Sequence, residues 1–275
     1  MEGSGAPAIR HGRARALARG RDDSLEASLA HPIYDPLRPW LRKLGAPSLD
    51  RLNALAEEAG LRTESGRALR FVPPGTSDAY YEIRVYESGC VATRPDNLHD
   101  LFNALAWLAF PRTKARINAL HAAAIPGERG KRGPRRDLLT LFDEGGALIE
   151  CADAELVDMV RQFRWKELFW ENRSRVLARM RIVVLGHAVL DKALAPWPGI
   201  ACKALPIRPG RDADAQACEW LGSLPGDATP RVLLPLPVFG YPGWLPANDR
   251  AEFYDDTRYF RPFRRDPRER YGKTG

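Results

Sequence analysis

The chain has 275 residues, of which 44% are hydrophobic and 28% charged, and 42 Lys+Arg against 35 Asp+Glu give a formal net charge of +7. This composition supports one large domain or two small ones and excludes disorder throughout. The apolar run 182–190 is too short for a membrane span, and no secretory signal precedes it, so we expect a soluble cytoplasmic protein. Cysteines 90, 151, 202 and 218 form no Cys-x-x-Cys motif and indicate neither a disulfide framework nor a thiolate zinc site.

The positive charge is concentrated in three segments. Residues 1–23 carry five arginines against three acids, residues 128–136 carry five basic side chains against Glu128, and residues 258–275 carry seven against two. Solvated flexible ends are one interpretation, and contact with a polyanion is the other. We predict disordered basic tails at 1–23 and 266–275 and a single domain over 24–265, into which the basic loop 127–136 is inserted.

The first half of the predicted domain alternates helices and strands. Three prolines in 31–41 predict an extended arm with apolar anchors, and Ser48 is a helix cap for a helix that ends before Gly60. Aromatic and β-branched residues predict strands at 68–73 and 79–87. Two tandem helices are then expected at 97–109 and 111–124, because Pro111 suits a first helical turn.

The second half begins with LLTLFDEGGALIEC, where two apolar runs flank a turn-forming sequence and predict a hairpin. Asp153 caps a helix to about residue 163. The stretch 165–195 indicates one broken or two continuous helices, whose inward-facing residues are expected to be Leu168, Phe169, Val176, Leu177, Met180 and Val184. A strand at 201–207, a helix at 212–224 and an apolar run at 232–236 follow. From 237 onwards, aromatic rings without periodicity predict an ordered extended arm. The fold class is therefore α+β: mainly helical, with a small, mostly antiparallel sheet and an extended C-terminal arm.

The tandem helices carry polar stripes of unusual composition. Solvated helix faces mix Glu, Lys and Arg, whereas these stripes consist of residue types that bind ligands or transfer protons. The stripes comprise His99, Asn103 and Trp107 on the first helix, and Lys114, Asn118 and His121 on the second. Arg94, Asn97 and Asp100 lie at the entry to the first helix, where free backbone N–H groups can meet an anion.

A second cluster, GHAVLDK at 186–192, places His187 and Asp191 four residues apart, so that Asp191 is a candidate to orient the imidazole. A structural alternative stays open for both clusters. His99 or Asn97 can cap a helix, buried Asn side chains can join helices, and a helical His beside apolar residues is often a core residue. Asp143 and Glu144 are accounted for by a plain hairpin turn.

These segments also carry a family resemblance. YYEIRVYESG, TRPDNLHDLFNALAWLAFPRTKARINALH, LLTLFDEGGALIE, GHAVLDK, PVFGYPGWLPAND and FYDDTRYFRPFR occur in the order expected for a bacterial family designated domain of unknown function 3025, which the chain resembles over roughly 30–265. The resemblance implies a soluble bacterial protein of one domain and supplies no reaction. Its motif blocks fall on His99, Asp100, Asn103, Trp107, Pro111, Lys114, Asn118 and His187.

Two main functions are compatible with these observations. The first is a hydrolase or transferase acting on an anionic or phosphate-bearing substrate: His99 or His187 is the general base, Lys114 and Arg94 bind anionic oxygens, and Asn103 and Asn118 orient substrate. A divalent metal is left open as a cofactor, and no nucleotide-binding signature is present. The alternative is nucleic-acid or ribonucleoprotein binding through the basic loop and tail. A third hypothesis is a structural or partner-binding protein in which the arm around Trp244 docks into a groove of another protein. Its alternative is that this arm packs on the chain itself.

Overall fold

A computed structural model describes residues 28–75, 80–128 and 132–262. The predicted tails at 1–23 and 266–275 lie outside the described residues. Ten α-helices are described: α1 Arg38–Leu44, α2 Leu49–Glu58, α3 Tyr81–Ser88, α4 Leu98–Ala109, α5 Pro111–Ala124, α6 Pro134–Gly145, α7 Ala154–Arg161, α8 Arg173–Arg179, α9 His187–Lys192 and α10 Ala213–Ser223. Across the described ranges, no helix combines the length and apolar character needed to cross a bilayer.

The strands form two small sheets. They are β1 Arg70–Val72, β2 Cys90–Ala92, β3 Gly146–Cys151, β4 Met180–Val184, β5 Cys202–Ile207 and β6 Leu234–Leu236. β1 and β2 pair in parallel, and the larger sheet has the order β4-β3-β5-β6. Within the larger sheet β3 is antiparallel to β4 and parallel to β5, and β5 is antiparallel to β6. The predicted α+β class, mainly helical with a small sheet, is confirmed.

The larger sheet has an apolar core on each face. Along β3, Ala147 and Ile149 belong to the main core, whereas Leu148 between them belongs to a second core under α6 and α10. Successive side chains of a strand point to opposite faces, so a strand covered on both sides must be apolar at every position. This double burial explains the apolar run 146–149 of β3, which is followed by the half-buried Glu150.

Several predicted elements are confirmed with their caps. Ser48 accepts a hydrogen bond from Arg51 N at the start of α2, and Asp153 accepts one from Leu156 N at the start of α7. The tandem helices α4 and α5 meet at Phe110, directly before Pro111. A short polar side chain directly before a segment with helically spaced apolar residues marks a helix start, because it accepts hydrogen bonds from backbone N–H groups that have no acceptor within the helix.

The predicted extended arm at 31–41 is wrong. Residues Pro32–Leu37 form a 3₁₀-helix that runs directly into α1, and the His31 ring accepts a hydrogen bond from Ile33 N at its start. Proline is compatible with the first turn of a helix, where its missing N–H has no partner to lose. The apolar anchors do pack inward, with Ile33, Tyr34 and Leu37 buried.

The predicted strand at 79–87 is also wrong, because its described part forms helix α3. Gly89 ends the helix in a left-handed conformation with φ 75°, and a Cβ there would lie 2.2 Å from the Ala68 carbonyl oxygen. The strand prediction rested on alternation over a short window, and the same residues place Tyr81 and Val85 on one helical face. Val85 is fully buried, whereas Tyr81, one turn earlier, is partly exposed.

The predicted hairpin at 138–151 is replaced by helix α6 followed at once by strand β3. Leu138, Leu139 and Phe142 are buried as one helical face, so the first apolar run has a helical period. Gly145 and Gly146 end the helix and begin the strand instead of joining two strands. The change matters for the site, because it places Asp143 and Glu144 in the last turn of a helix.

The helices predicted over 165–195 are interrupted by strand β4 at Met180–Val184. The run Ile182, Val183 and Val184 is β-branched, a composition that favours a strand. Leu177, predicted to face inward, is exposed. A π-helix at Glu167–Glu171 and helix α8 precede the strand, and helix α9 follows it.

The described part of the C-terminal arm, 237–262, consists of short 3₁₀ turns instead of an extended segment. Its aromatic rings pack on the chain itself, with Trp244, Tyr254 and Phe260 buried in the main core. Asn248 is fully buried there, and its amide donates to the carbonyl oxygens of Phe239 and Tyr241. This packing favours the intramolecular role of the arm over a protein anchor.

Candidate functional site

A cavity of about 510 Å³, here called the polar cavity, opens where α3, α4, α5, α6 and the start of α9 meet. Ligand sites of this size usually combine an apolar wall with a few convergent polar groups. The polar side chains that line it are Tyr81, Glu82, Arg94, His99, Asp100, Asn103, Lys114, Asn118, His121, Arg132, Thr140, Asp143, Glu144 and His187.

Close glycine packing joins the two elements that meet at the cavity. A Cβ at Gly186 would lie 2.5 Å from Gly146 N, 2.6 Å from Gly145 Cα and 2.7 Å from Glu144 O. Because only glycine allows main chains to approach so closely, the junction of α6 with β3 packs directly on the start of α9. This contact brings Asp143 and His187 into the same wall.

Lys114 is the buried cation of the cavity. Its side chain is 4% exposed, and Nζ donates to Asn103 Oδ1 at 2.8 Å and to Asp143 Oδ1 at 2.5 Å. Nζ also lies 5.6 Å from the centre of the Trp107 ring, over its face. Burial opposes ionisation of Asp143, but the Lys114 ammonium prevails and lowers the pKa of this carboxyl. An ammonium has three N–H donors, so one remains available to a ligand.

His187 is held by the main chain of α6. Its Nδ1 lies 2.9 Å from the Asp143 carbonyl oxygen and 3.7 Å from Asp143 Oδ2. Burial, together with the nearby Lys114 charge, lowers the pKa of His187 to about 4, so the ring is neutral at pH 7. Because a carbonyl oxygen only accepts, Nδ1 carries the proton and Nε2 carries the lone pair.

His99 lies next to this imidazole. The two ring centroids are 4.6 Å apart and the planes meet at 66°, an edge-to-face arrangement. His99 is half-buried, and within the described ranges its ring has no hydrogen-bond partner. The cavity therefore holds a fixed neutral imidazole beside a second one that is open to solvent.

His121 has the opposite tautomer, which is set by Arg136 in the first turn of α6. Arg136 Nε donates to His121 Nδ1 at 3.1 Å, and Arg136 Nη1 is bound to Glu128 Oε2 at 2.7 Å. An arginine cannot accept, so Nδ1 has the lone pair and Nε2 carries the proton. Burial lowers the pKa of His121 to about 4, which makes this ring a neutral N–H donor.

Helix α3 contributes the remaining polar wall. Asn118 Nδ2 donates to the Glu82 carbonyl oxygen at 2.8 Å, while Asn118 Oδ1 is buried without a partner among the described residues. Burial, reinforced by the Asp143 charge, raises the pKa of the Glu82 carboxyl. Burial also raises the pKa of Tyr81, whose ring is partly exposed, and its hydroxyl lies 3.5 Å from Asn103 Nδ2.

The entry to α4 is closed by an ion pair. Arg94 binds Asp100 in a two-point contact, from Nε at 2.9 Å and Nη2 at 2.9 Å, and its main-chain N–H donates to the same carboxylate at 2.7 Å. Desolvation opposes ionisation of Asp100, but the hydrogen bonds from Arg94 lower its pKa. Asp100 therefore positions Arg94 at the rim.

A protein-family model described as "Protein of unknown function (DUF3025)" matches residues 69–264, well over half of the chain. The chain belongs to this family. No curated protein and no solved structure matches it. The resemblance based on the six motifs is confirmed over 69–264, and DUF3025 membership supplies no reaction.

In this DUF3025 chain, nine of the eleven predicted site residues line the polar cavity: Arg94, His99, Asp100, Asn103, Trp107, Lys114, Asn118, His121 and His187. The other two do not. Asn97 caps α4, accepting a hydrogen bond from Asp100 N, and lines a separate cavity with α2. Asp191 is buried on α9 and is not among the residues lining the polar cavity, and the group that holds His187 is Asp143.

Sequence reasoning missed Tyr81, Glu82 and Arg132 and assigned Asp143 to a turn. For all of these except Arg132, which lies in loop 127–136, the cause is the incorrect prediction of a strand at 79–87 and of a hairpin at 138–151. Once 134–145 is a helix, Thr140, Asp143 and Glu144 form a polar stripe of the kind used to select the tandem helices. The same holds for 81–88, where a strand would have placed Tyr81 and Glu82 on opposite faces.

Metal binding has no ready donor set in this cavity. Across the ranges 28–75, 80–128 and 132–262, no three His, Cys, Asp or Glu side chains are grouped closely enough to hold an ion. Lys114 already binds Oδ1 of Asp143. The divalent metal left open by the sequence stays a prediction.

Proposed function

We propose that this DUF3025 protein is an enzyme, a cytoplasmic hydrolase or transferase acting on a substrate with an anionic or phosphate group, and that the polar cavity is its active site. One observation carries the proposal. The buried His187 ring is fixed as the neutral tautomer whose unprotonated Nε2 is available, beside the solvent-accessible His99 ring.

His187 serves as the general base in this proposal. Its low pKa keeps Nε2 unprotonated at pH 7, and the imidazolium formed during reaction is stabilised by Asp143 Oδ2, 3.7 Å from Nδ1. The base takes a proton from water or an acceptor hydroxyl, whose oxygen attacks the substrate. His99, whose half-buried ring lies beside that of His187, donates a proton to the leaving group.

Two cations are suited to bind the anionic group. Lys114 has one N–H that is not used by Asn103 or Asp143. Arg132 is exposed at the rim, donates to the Thr140 hydroxyl at 3.2 Å and forms no ion pair with any described carboxylate. Arg94 is bound to Asp100 and is a weaker candidate than the sequence indicated. Asn103 and His121 then supply hydrogen bonds that orient the substrate.

The nucleic-acid alternative depends on the basic segments. In the described part of loop 127–136, the Arg136 side chain is buried and forms an ion pair with Glu128. Arg132 lines the polar cavity. These positions reduce the charge that the loop can offer to a polyanion. The C-terminal segment from 263 lies outside the described residues, and its part in this alternative stays a prediction.

A screen of p-nitrophenyl mono- and diesters of phosphate, with carboxylic esters as a second class, tests the proposal on the full chain. We expect hydrolysis of a phosphate ester and a loss of at least about 100-fold in kcat/KM for His187→Ala, since a positioned general base contributes roughly 10²–10⁴-fold. The acidic limb of the pH–kcat/KM profile should fall near pH 4, where His187 becomes protonated in the folded enzyme.

Lys43→Gln is the matched control, because Lys43 pairs with Glu58 at the surface, away from the cavity. Single-stranded RNA binding, measured by fluorescence anisotropy over a range of salt concentrations, tests the alternative. Binding that weakens steeply with salt and is unchanged in His187→Ala, together with no ester hydrolysis, contradicts the enzyme proposal and supports a polyanion-binding protein.

A further inference from the structure

A second and larger cavity, of about 800 Å³, lies on the other side of α9 and is here called the aromatic groove. Its apolar walls come from Phe163, Trp165, Val189, Trp197, Leu236 and Tyr259. The polar cavity and the aromatic groove share Glu144, and none of the predicted site residues lines the groove. It is an independent candidate for ligand binding.

A half-buried lysine on a central strand lies at this groove. Lys203 belongs to β5, between Cys202 and Ala204, and its strand neighbours are Gly146 and Pro235. Within the described ranges, the Lys203 ammonium has no carboxylate within ion-pair distance and no hydrogen-bond acceptor. An ammonium with restricted access to water and no counterion favours an anionic ligand, because pairing offsets the cost of its desolvation.

An indole ring forms one edge of the groove. Trp197 is 55% exposed, and a Cβ at Gly199 would lie 1.7 Å from the indole ring, so the ring rests directly on the Gly199 backbone. Gly199 has φ +143°, a conformation that other residues rarely adopt. A large aromatic side chain held at the rim of an apolar cavity exposes apolar surface that a ligand can cover.

The charges at the groove complement an anion. Lys192, Lys203, Arg258 and Arg261 line it, against Glu144 and Asp256. Asp256 is bound to Arg258 through both carboxylate oxygens, so its charge is balanced locally. The basic segment 263–275 of the chain itself has the wrong charge for this rim.

We propose that the aromatic groove binds a small amphipathic monoanion, an apolar carboxylate whose body packs against Trp197, Phe163 and Tyr259 and whose charged group pairs with Lys203. The proposal is independent of the chemistry assigned to the polar cavity. The carboxylate lies at the β5 side of the groove, and Lys192 at the end of α9 supplies a second, exposed positive charge.

Calorimetric titration of the full chain with decanoate, 2-naphthoate, decanol and decyltrimethylammonium tests this proposal. The two carboxylates distinguish an aliphatic from an aromatic body, and the other two remove or reverse the charge. We expect saturable 1:1 binding of at least one carboxylate, at least about tenfold tighter than decanol, and no saturable binding of the cation. Lys203→Gln should weaken carboxylate binding about tenfold without changing that of decanol, since one charge-assisted hydrogen bond is lost.

Lys43→Gln again serves as the matched lysine control and should bind like the wild type. Gly199→Ala should weaken binding of all apolar probes, because it displaces the indole. The proposal is overturned if neither carboxylate binds more tightly than decanol, or if Lys203→Gln and Lys43→Gln behave alike. If Lys203→Gln does not fold, Lys203→Met, which removes the charge but keeps an unbranched apolar side chain, takes its place, and unchanged carboxylate binding in that variant overturns the assignment.

Discussion

His187 Nδ1 lies 2.9 Å from the main-chain carbonyl oxygen of Asp143, although the two residues are 44 positions apart. The Asp143 side chain binds Lys114, 29 positions away in the other direction. One residue at the end of α6 thus fixes the tautomer of the imidazole with its backbone and holds the ammonium with its carboxylate. The candidate active site is organised around Asp143.

The Lys114–Asp143 pair should be important for stability. Lys114→Met leaves a carboxylate in a poorly hydrated wall without its counterion, and we expect the free energy of unfolding to fall by about 3 kcal/mol. Denaturation in urea measures this change. The double variant Lys114→Met/Asp143→Asn should recover part of the loss, because the unpaired charge is gone.

The exposed pair of Lys43 with Glu58 provides the comparison. Lys43→Met should cost less than about 1 kcal/mol, as is usual for ion pairs in water. Equal effects of the two lysine substitutions, or a double variant less stable than Lys114→Met alone, would contradict the role assigned to Asp143.

The close backbone packing at Gly186 should be intolerant of a methyl group. A Cβ there meets three main-chain atoms of residues 144–146, so Gly186→Ala must move α9 away from the end of α6, and we expect a loss of about 1–3 kcal/mol in the free energy of unfolding. The His187 ring signals in an NMR spectrum should shift, because Nδ1 loses its carbonyl partner. Gly222→Ala in α10 is the control, since a Cβ there meets nothing within 4 Å. It should leave stability unchanged or raise it by up to about 1 kcal/mol.

Two histidines should make stability depend on pH in the mildly acidic range. Burial lowers the pKa values of His121 and His187 from 6.5 to about 4 in the folded chain. Between these values the unfolded chain binds more protons than the folded one, so the free energy of unfolding falls as the pH is lowered from about 6.5 to 4. Each histidine contributes up to about 1.4 kcal/mol per pH unit. Urea denaturation at several pH values gives the slope of the free energy of unfolding against pH, which reports how many more protons the unfolded chain binds than the folded one. This number should be smaller by about one in His121→Gln, and an unchanged slope would refute this assignment.

The C-terminal arm should depend on Asn248. Its amide donates to two carbonyl oxygens, at 3.0 Å and 2.7 Å, and its Oδ1 accepts from Gly243 N at 3.1 Å. Asn248→Ala leaves these buried groups unsatisfied, and we expect a loss of about 3 kcal/mol together with faster proteolysis of the arm. The exposed ion pair of Lys166 with Asp255 in the same region is the control, and Asp255→Asn should have little effect on either measurement.

The sequence predicted most reliably the features that depend on neighbouring residues. Helix caps at Ser48 and Asp153 and the tandem helices around Pro111 are set by local hydrogen bonding and proline geometry, and all of them are confirmed. Spacing on those helices was sufficient to select Lys114, Asn118 and His121 as one face, because a helix of known start has a fixed period.

Only the tertiary structure decided which partners those side chains meet. The segments 79–87 and 138–145 have patterns that suit a helix or a strand over a short window, and packing on α5 and on the sheet favoured the helix. The same packing replaced Asp191 with Asp143 as the partner of His187, through a glycine contact between distant segments. The sequence by itself determined the helix starts and the polar stripes. The Asp143-centred site required the fold, because its hydrogen bonds join residues that no local period relates.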